Sequence, residues 1–216
     1  MFGRDKLAQI VGEFLGTAVL ASAIYSVIGR VSFPLYAGLA AGITAGLMVL
    51  IIGKTSGAHI NPAVTVGLWT LRKIETVQAI VFVAAQMLGG VMAWRLNEYL
   101  TNSTLTSIAG KAFDWRVFIA EAVGTFVFAF GVAAALSHKY EGGVLATAIG
   151  GSLLLGTVVA SYASNGFLNP AVALGLRSWS WTYALAPFVG SIVGMNLYML
   201  IFAEVPISTK KSTKKR

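Results

Sequence analysis

Residues 56–69 read SGAHINPAVTVGLW, directly after an apolar stretch, and place a Gly, a His, an Asn and a Pro where a helix should simply end. The ten residues after Asn61 turn apolar again. At 1.5 Å per residue they make a helix of about 15 Å, half the thickness of a bilayer core of about 30 Å. The same text returns: HINPAVTVGL at 59–68 becomes FLNPAVALGL at 167–176, and EFLGT at 13–17 becomes EAVGT at 121–125. The offset is 108 residues in both cases, half of the 216-residue chain, and it also relates Gly42 to Gly150, Ser56 to Ser164 and Gly67 to Gly175. The chain is written twice.

Around these motifs lie six apolar segments long enough to cross a membrane: 7–28, 35–52, 76–96, 116–136, 142–162 and 182–203. The composition agrees, with 56% hydrophobic and 11% charged residues and a mean hydropathy of +0.77, against about 25% charged in soluble domains. The first segment lacks a small-residue cleavage site and contains Glu13, so it reads as a retained span and not a removed signal. Three spans per half is an odd number, so the second half enters from the opposite face as an inverted repeat. The expected fold is all-α: six transmembrane helices plus two re-entrant half-helices. They form one channel domain over 1–206, with repeats at about 1–108 and 109–206, followed by a basic tail at 207–216.

The net charge of +8 sits mainly in the tail and at span ends, so it reads as topology and not as a nucleic-acid surface. Arg4, Lys6, Lys54, Arg72, Lys73, Lys139, Lys210, Lys211, Lys214, Lys215 and Arg216 fall on the side of the termini. Only Arg30, Arg95, Lys111, Arg116 and Arg177 fall on the other. Eleven against five places both termini in the cytoplasm of what is expected to be the cell membrane. The chain has no cysteine, and His59 and His138 are far apart. No metal site, no cofactor and no enzymatic constellation is expected.

Pro62 and Pro170 suit the first position of each half-helix, with Asn61 and Asn169 as N-caps. Extended backbone precedes each cap, and unpaired carbonyls at membrane depth call for a water-lined cavity or burial in protein.

Two Asn-Pro-Ala motifs (Asn61, Pro62, Ala63 and Asn169, Pro170, Ala171) on a six-span inverted repeat with an early Glu in each half resemble the aquaporin and glycerol-facilitator family. The resemblance covers nearly the whole chain. It implies a channel for water and small neutral solutes, four pores per homotetramer, and positive half-helix ends directed at the pore centre. Proton and cation exclusion would come from those ends and from an Arg. The carbonyls of Gly57, Ala58, His59 and Ile60, and of Asn165, Gly166, Phe167 and Leu168, would line the approaches. Glu13 and Glu121 would hold the irregular loops, the alternative for such intramembrane carboxylates being a proton relay. His59 reads as structural, with a pH gate as the other reading.

One departure stands out. The family's constriction, counted back 20 from Asn61 and at −12, −3 and +3 from Asn169, falls here on Ala41, Thr157, Gly166 and Val172. No aromatic and no Arg remains, although Phe167 or Tyr162 could refill the gap, while Arg177 lies more than a turn too far along. A wide, apolar filter passing water, glycerol, urea, ammonia or hydrogen peroxide is expected. The alternatives are an ion-leaky pore and a non-conducting structural membrane protein on the same fold.

Overall fold

The computed structural model describes residues 3–28, 34–110 and 112–203. Arg30, Lys111 and the basic tail at 207–216, with the tail's share of the charge asymmetry, lie outside the described residues. Among the described residues eight helices follow in order: α1 (Arg4–Val27), α2 (Pro34–Ser56), α3 (Pro62–Thr70), α4 (Thr76–Thr101), α5 (Trp115–Ser137), α6 (Gly142–Ala160), α7 (Pro170–Gly175) and α8 (Trp181–Ile201). Six of them are long and apolar enough to cross a membrane. α3 and α7 are the two short ones. Leu7, Leu47, Ile51, Val77, Ile80 and Leu200 stay exposed on the outer surface, as side chains that meet lipid do.

Within each half the outer helices pair, α1 with α4 and α5 with α8, and the halves dock through α2 against α6, α4 against α7 and α3 against α8. Small residues let the backbones approach, since helix association in lipid relies on packing contacts. A Cβ on Gly42 would stand 2.5 Å from the Gly150 carbonyl oxygen, and one on Gly194 2.7 Å from the Phe126 carbonyl oxygen. α1 and α2 run in opposite directions and the alternation continues, so one face of the bundle carries Gly3 and residues 71–75 and 138–141. The opposite face carries 102–110, 112–114, 161–164 and 176–180.

The second half-helix departs from the expected ten residues. α3 runs for 9 residues but α7 for only 6. After α3, Lys73 N–H bonds to Leu68 O (2.9 Å) and Arg72 N–H to Trp69 O (2.9 Å), with Arg72 at φ +56°. After α7, Ser178 N–H bonds to Ala173 O (2.8 Å) and Arg177 N–H to Leu174 O (2.9 Å), with Arg177 at φ +52°. Both ends are Schellman closures in which an Arg takes the left-handed position usually given to Gly. They are offset by 105 residues and not 108, so the repeat loses three residues of helix there.

Candidate functional site

The tips of α3 and α7 meet between the two halves. Asn61 caps α3, its Oδ1 accepting from Ala63 N–H at 2.8 Å. Asn169 caps α7, accepting from Ala171 N–H (3.0 Å) and Val172 N–H (3.3 Å). Each amide then donates across the junction: Asn61 Nδ2 to Leu168 O at 2.9 Å and Asn169 Nδ2 to Ile60 O at 2.9 Å. The two carbonyls nearest the centre are therefore occupied by side-chain amides, and each Asn keeps one further N–H. Asn61 and Asn169 are 3% and 1% exposed.

The backbone ahead of each cap is bent through left-handed residues. Ala58 and Ile60 have φ of +50° and +41°, and their counterparts Gly166 and Leu168 have +64° and +52°. For a β-branched residue such as Ile60 this conformation is an outlier, costing on the order of 1–3 kcal/mol. The partners that hold it are on α1 and α5. Glu13 accepts from Ser56 Oγ (2.6 Å), His59 N–H (3.0 Å) and Ile60 N–H (2.6 Å). Glu121 accepts from Ser164 Oγ (2.8 Å), Phe167 N–H (3.0 Å) and Leu168 N–H (2.7 Å). Both carboxylates are fully buried. Each satisfies backbone donors that the turn leaves without a helical acceptor.

Here the two halves differ. Gln86 of α4 donates through Nε2 to Glu13 Oε2 (2.7 Å) and to Thr65 Oγ1 (2.9 Å), and Thr65 Oγ1 meets His59 Nδ1 at 3.1 Å. Residues 194 and 173, which lie 108 further on, are Gly and Ala. Sequence reasoning missed Gln86 because it has no counterpart in the second half. A polar residue inside an apolar span was the signal available.

Of the expected filter residues, Thr157 and Gly166 are brought together, Thr157 Oγ1 donating to Gly166 O at 3.3 Å. Ala41 and Val172 belong to one buried apolar cluster with Leu20, Ile24, Leu153 and Phe167. Ala41 and Thr157 are 2% exposed and Val172 0%, so neighbours close over these small side chains. Tyr162 is 94% exposed and does not refill the constriction. The Phe167 ring lies against Tyr183, centroids 4.8 Å apart. Arg177 is held outside: Nη1 donates to Leu105 O (2.8 Å) and stands 3.9 Å from Glu98 Oε1, with the guanidinium 5.5 Å from the Trp94 ring centroid.

A cavity opens on each face. On the Gly3 face a space of about 340 Å³ is lined by Gly57, Ala58, His59, Val64, Phe128 and Ile149 among others. On the opposite face a space of about 270 Å³ is lined by Tyr25, Ile28, Leu105, Ile108 and Leu176 among others. Asn165 donates through Nδ2 to Tyr183 Oη at 2.9 Å and to the carbonyl of Ile108, one of the residues of this cavity's wall, at 3.4 Å. Among the described residues no group of three His, Cys, Asp or Glu could hold a metal ion.

The profile of the family described as major intrinsic protein matches residues 4–202. The chain belongs to the major intrinsic protein family. Members of this family are membrane channels and not enzymes, and the six apolar helices make this member an integral membrane protein. It is 29% identical to Aquaporin Z of Photorhabdus laumondii subsp. laumondii, covering 92% of this chain and 99% of that one. It is also 29% identical to the glycerol uptake facilitator protein of Streptococcus pneumoniae strain R6, covering 90% and 98%. The solved structure of the aquaglyceroporin from Plasmodium falciparum superposes with a TM-score of 0.70 over 91% of this chain and 96% of that one, at 22% identity, which carries the fold alone.

Proposed function

We propose that this major intrinsic protein is a passive channel for water and small neutral solutes (glycerol, urea, ammonia or hydrogen peroxide), passing them through a wide filter without Arg. The observation that carries this reading is the junction of Asn61 and Asn169, where two capped half-helices meet with a cavity on either side. Each half-helix end presents roughly half a positive charge. Each Asn also retains an N–H beyond its cross-junction bond. A water at the centre turns its oxygen to these donors, which interrupts a chain of proton hops, and a cation meets positive potential. Ala41, Thr157, Gly166 and Val172 form the filter, and the free carbonyls at Gly57–His59 offer acceptors on the approach. The similarity to proteins named as an aquaporin and a glycerol uptake facilitator supports the solute class. The protein works as a homotetramer in the cell membrane with both termini cytoplasmic, a reading supported by the family and the basic-residue asymmetry.

A second reading, a non-conducting structural membrane protein, is favoured by one observation: Val172 and Thr157 are almost wholly buried. Stopped-flow light scattering on proteoliposomes separates the two. Fast water and glycerol equilibration, with glycerol slowed in Val172→Arg, supports the channel. Rates equal to empty liposomes in both proteins favour the structural reading. Conductance to potassium in the parent would indicate a pore that leaks ions.

A further inference from the structure

Adding or subtracting 108 carries each filter residue to a position in the other half: Ala41 to Ile149, Thr157 to Val49, Gly166 to Ala58 and Val172 to Val64. These four also come together. Val49 and Ala58 form a buried cluster with Ile149 packed against it, and Ile149 also packs against the larger cluster that contains Val64. Ala58, Val64 and Ile149 line the cavity on the Gly3 face.

We infer that Val49, Ala58, Val64 and Ile149 form a second, wholly apolar constriction in the Gly3-side half, and that this ring, rather than the filter, sets the largest solute admitted. The inference rests on the channel reading above. Position by position the ring is as large as the filter or larger: Ile faces Ala, Ala faces Gly, Val is isosteric with Thr, and Val matches Val. It also lacks the one hydroxyl the filter has, so nothing replaces the hydrogen bond that Thr157 makes to Gly166. A hydrophobic constriction resists polar solutes by dewetting. A polyol must therefore shed water against Ala58, Val64 and Ile149 with no donor or acceptor from the ring's own side chains, His59 and Lys73 being the polar side chains of the cavity that these residues line.

The test uses the full chain in proteoliposomes, with Ile149→Ala to widen the ring and Val49→Thr to give it a hydroxyl at constant volume. Glycerol permeability rises roughly tenfold in Ile149→Ala, equivalent to about 1.4 kcal/mol off the barrier, and more modestly in Val49→Thr. Because the chain has no cysteine, Val64→Cys carries its only thiol. A bulky maleimide added from the Gly3 face labels it faster when Ile149 is also Ala, a result that needs no flux. Fluxes and labelling unchanged by Ile149→Ala, in a protein that conducts, overturn the ring and leave the channel standing. Faster labelling with no flux in any variant shows that Ile149 bars access to Val64 but defeats the channel reading, and with it the claim that the ring sets the solute size.

Discussion

Gly42 of α2 and Gly150 of α6 stand face to face where the two halves cross, each with its backbone against the other's carbonyl, and a Cβ on Gly42 would lie 2.5 Å from Gly150 O. The offset that relates the halves relates these two residues to each other, so they sit where the pseudo-two-fold axis passes between the helices. The obstacle to any side chain here is backbone, which cannot swing away. Gly42→Val is expected to lower stability by about 1–3 kcal/mol through overpacking, read as a fall in the thermal unfolding midpoint in detergent. Gly151→Ala, one residue on and with nothing within 4 Å, is the control. It should be neutral or raise stability by about 0.5–1 kcal/mol, as Ala in place of a helical Gly does.

The loop-holding carboxylates allow a paired prediction. A Gln in place of Glu13 or Glu121 keeps the shape but turns one acceptor into a donor facing N–H groups. Each substitution should cost up to about 3 kcal/mol for buried groups left unpaired. Glu13→Gln should cost more than Glu121→Gln, because Gln86 Nε2 also donates to Glu13. Equal shifts in unfolding midpoint would assign Gln86 no part in holding the loop.

At the junction, Asn61→Asp keeps an oxygen for the Ala63 N–H but replaces the donor to Leu168 O with a second negative oxygen. The positive ends of α3 and α7 are then opposed by a full charge. Proteoliposomes of this variant should admit protons faster than the parent under a potassium-driven potential, monitored with an entrapped pH dye. An unchanged leak would place the barrier away from the junction.

Arg177 ties the segment 102–110 to the end of α7 through Leu105 O, beside Glu98, whose Oε1 also accepts from Leu105 N–H. Arg177→Ala should accelerate amide hydrogen exchange at Leu105–Ile108, leaving the exchange of α4 unchanged. The expected cost is about 1 kcal/mol, discounted because the Arg177 side chain is 44% exposed.

Much of this fold was legible in the residues, because a bilayer restricts the options: six apolar lengths and two half-lengths admit few arrangements, and a repeat offset of 108 announces pairs such as Glu13 with Glu121. What stayed hidden is what the repeat does not copy. Gln86 pairs with Gly194, and Thr65 with Ala173, so no second instance marks the polar network. The early end of α7 was hidden because its left-handed closing residue is Arg177 instead of a glycine. The burial of Val172 was hidden for another reason. Small side chains suggest open space, whereas in three dimensions Leu20, Ile24 and Phe167 share the cluster around it.

The hydrogen bond from Asn61 to the Leu168 carbonyl spans 107 residues of sequence, which gives the protein a timetable as it is made. Chains grow at roughly 5–20 residues per second, so this acceptor does not exist until roughly 5–20 s after Asn61 has been joined. Glu13, by contrast, precedes the loop it holds and is in place from the start. The first re-entrant segment is thus tethered at one end early and left with an empty amide at the other until the second half has entered the membrane. A ribosome that stalls between residues 110 and 168 would leave a half-protein whose central Asn61 donor lacks the Leu168 carbonyl.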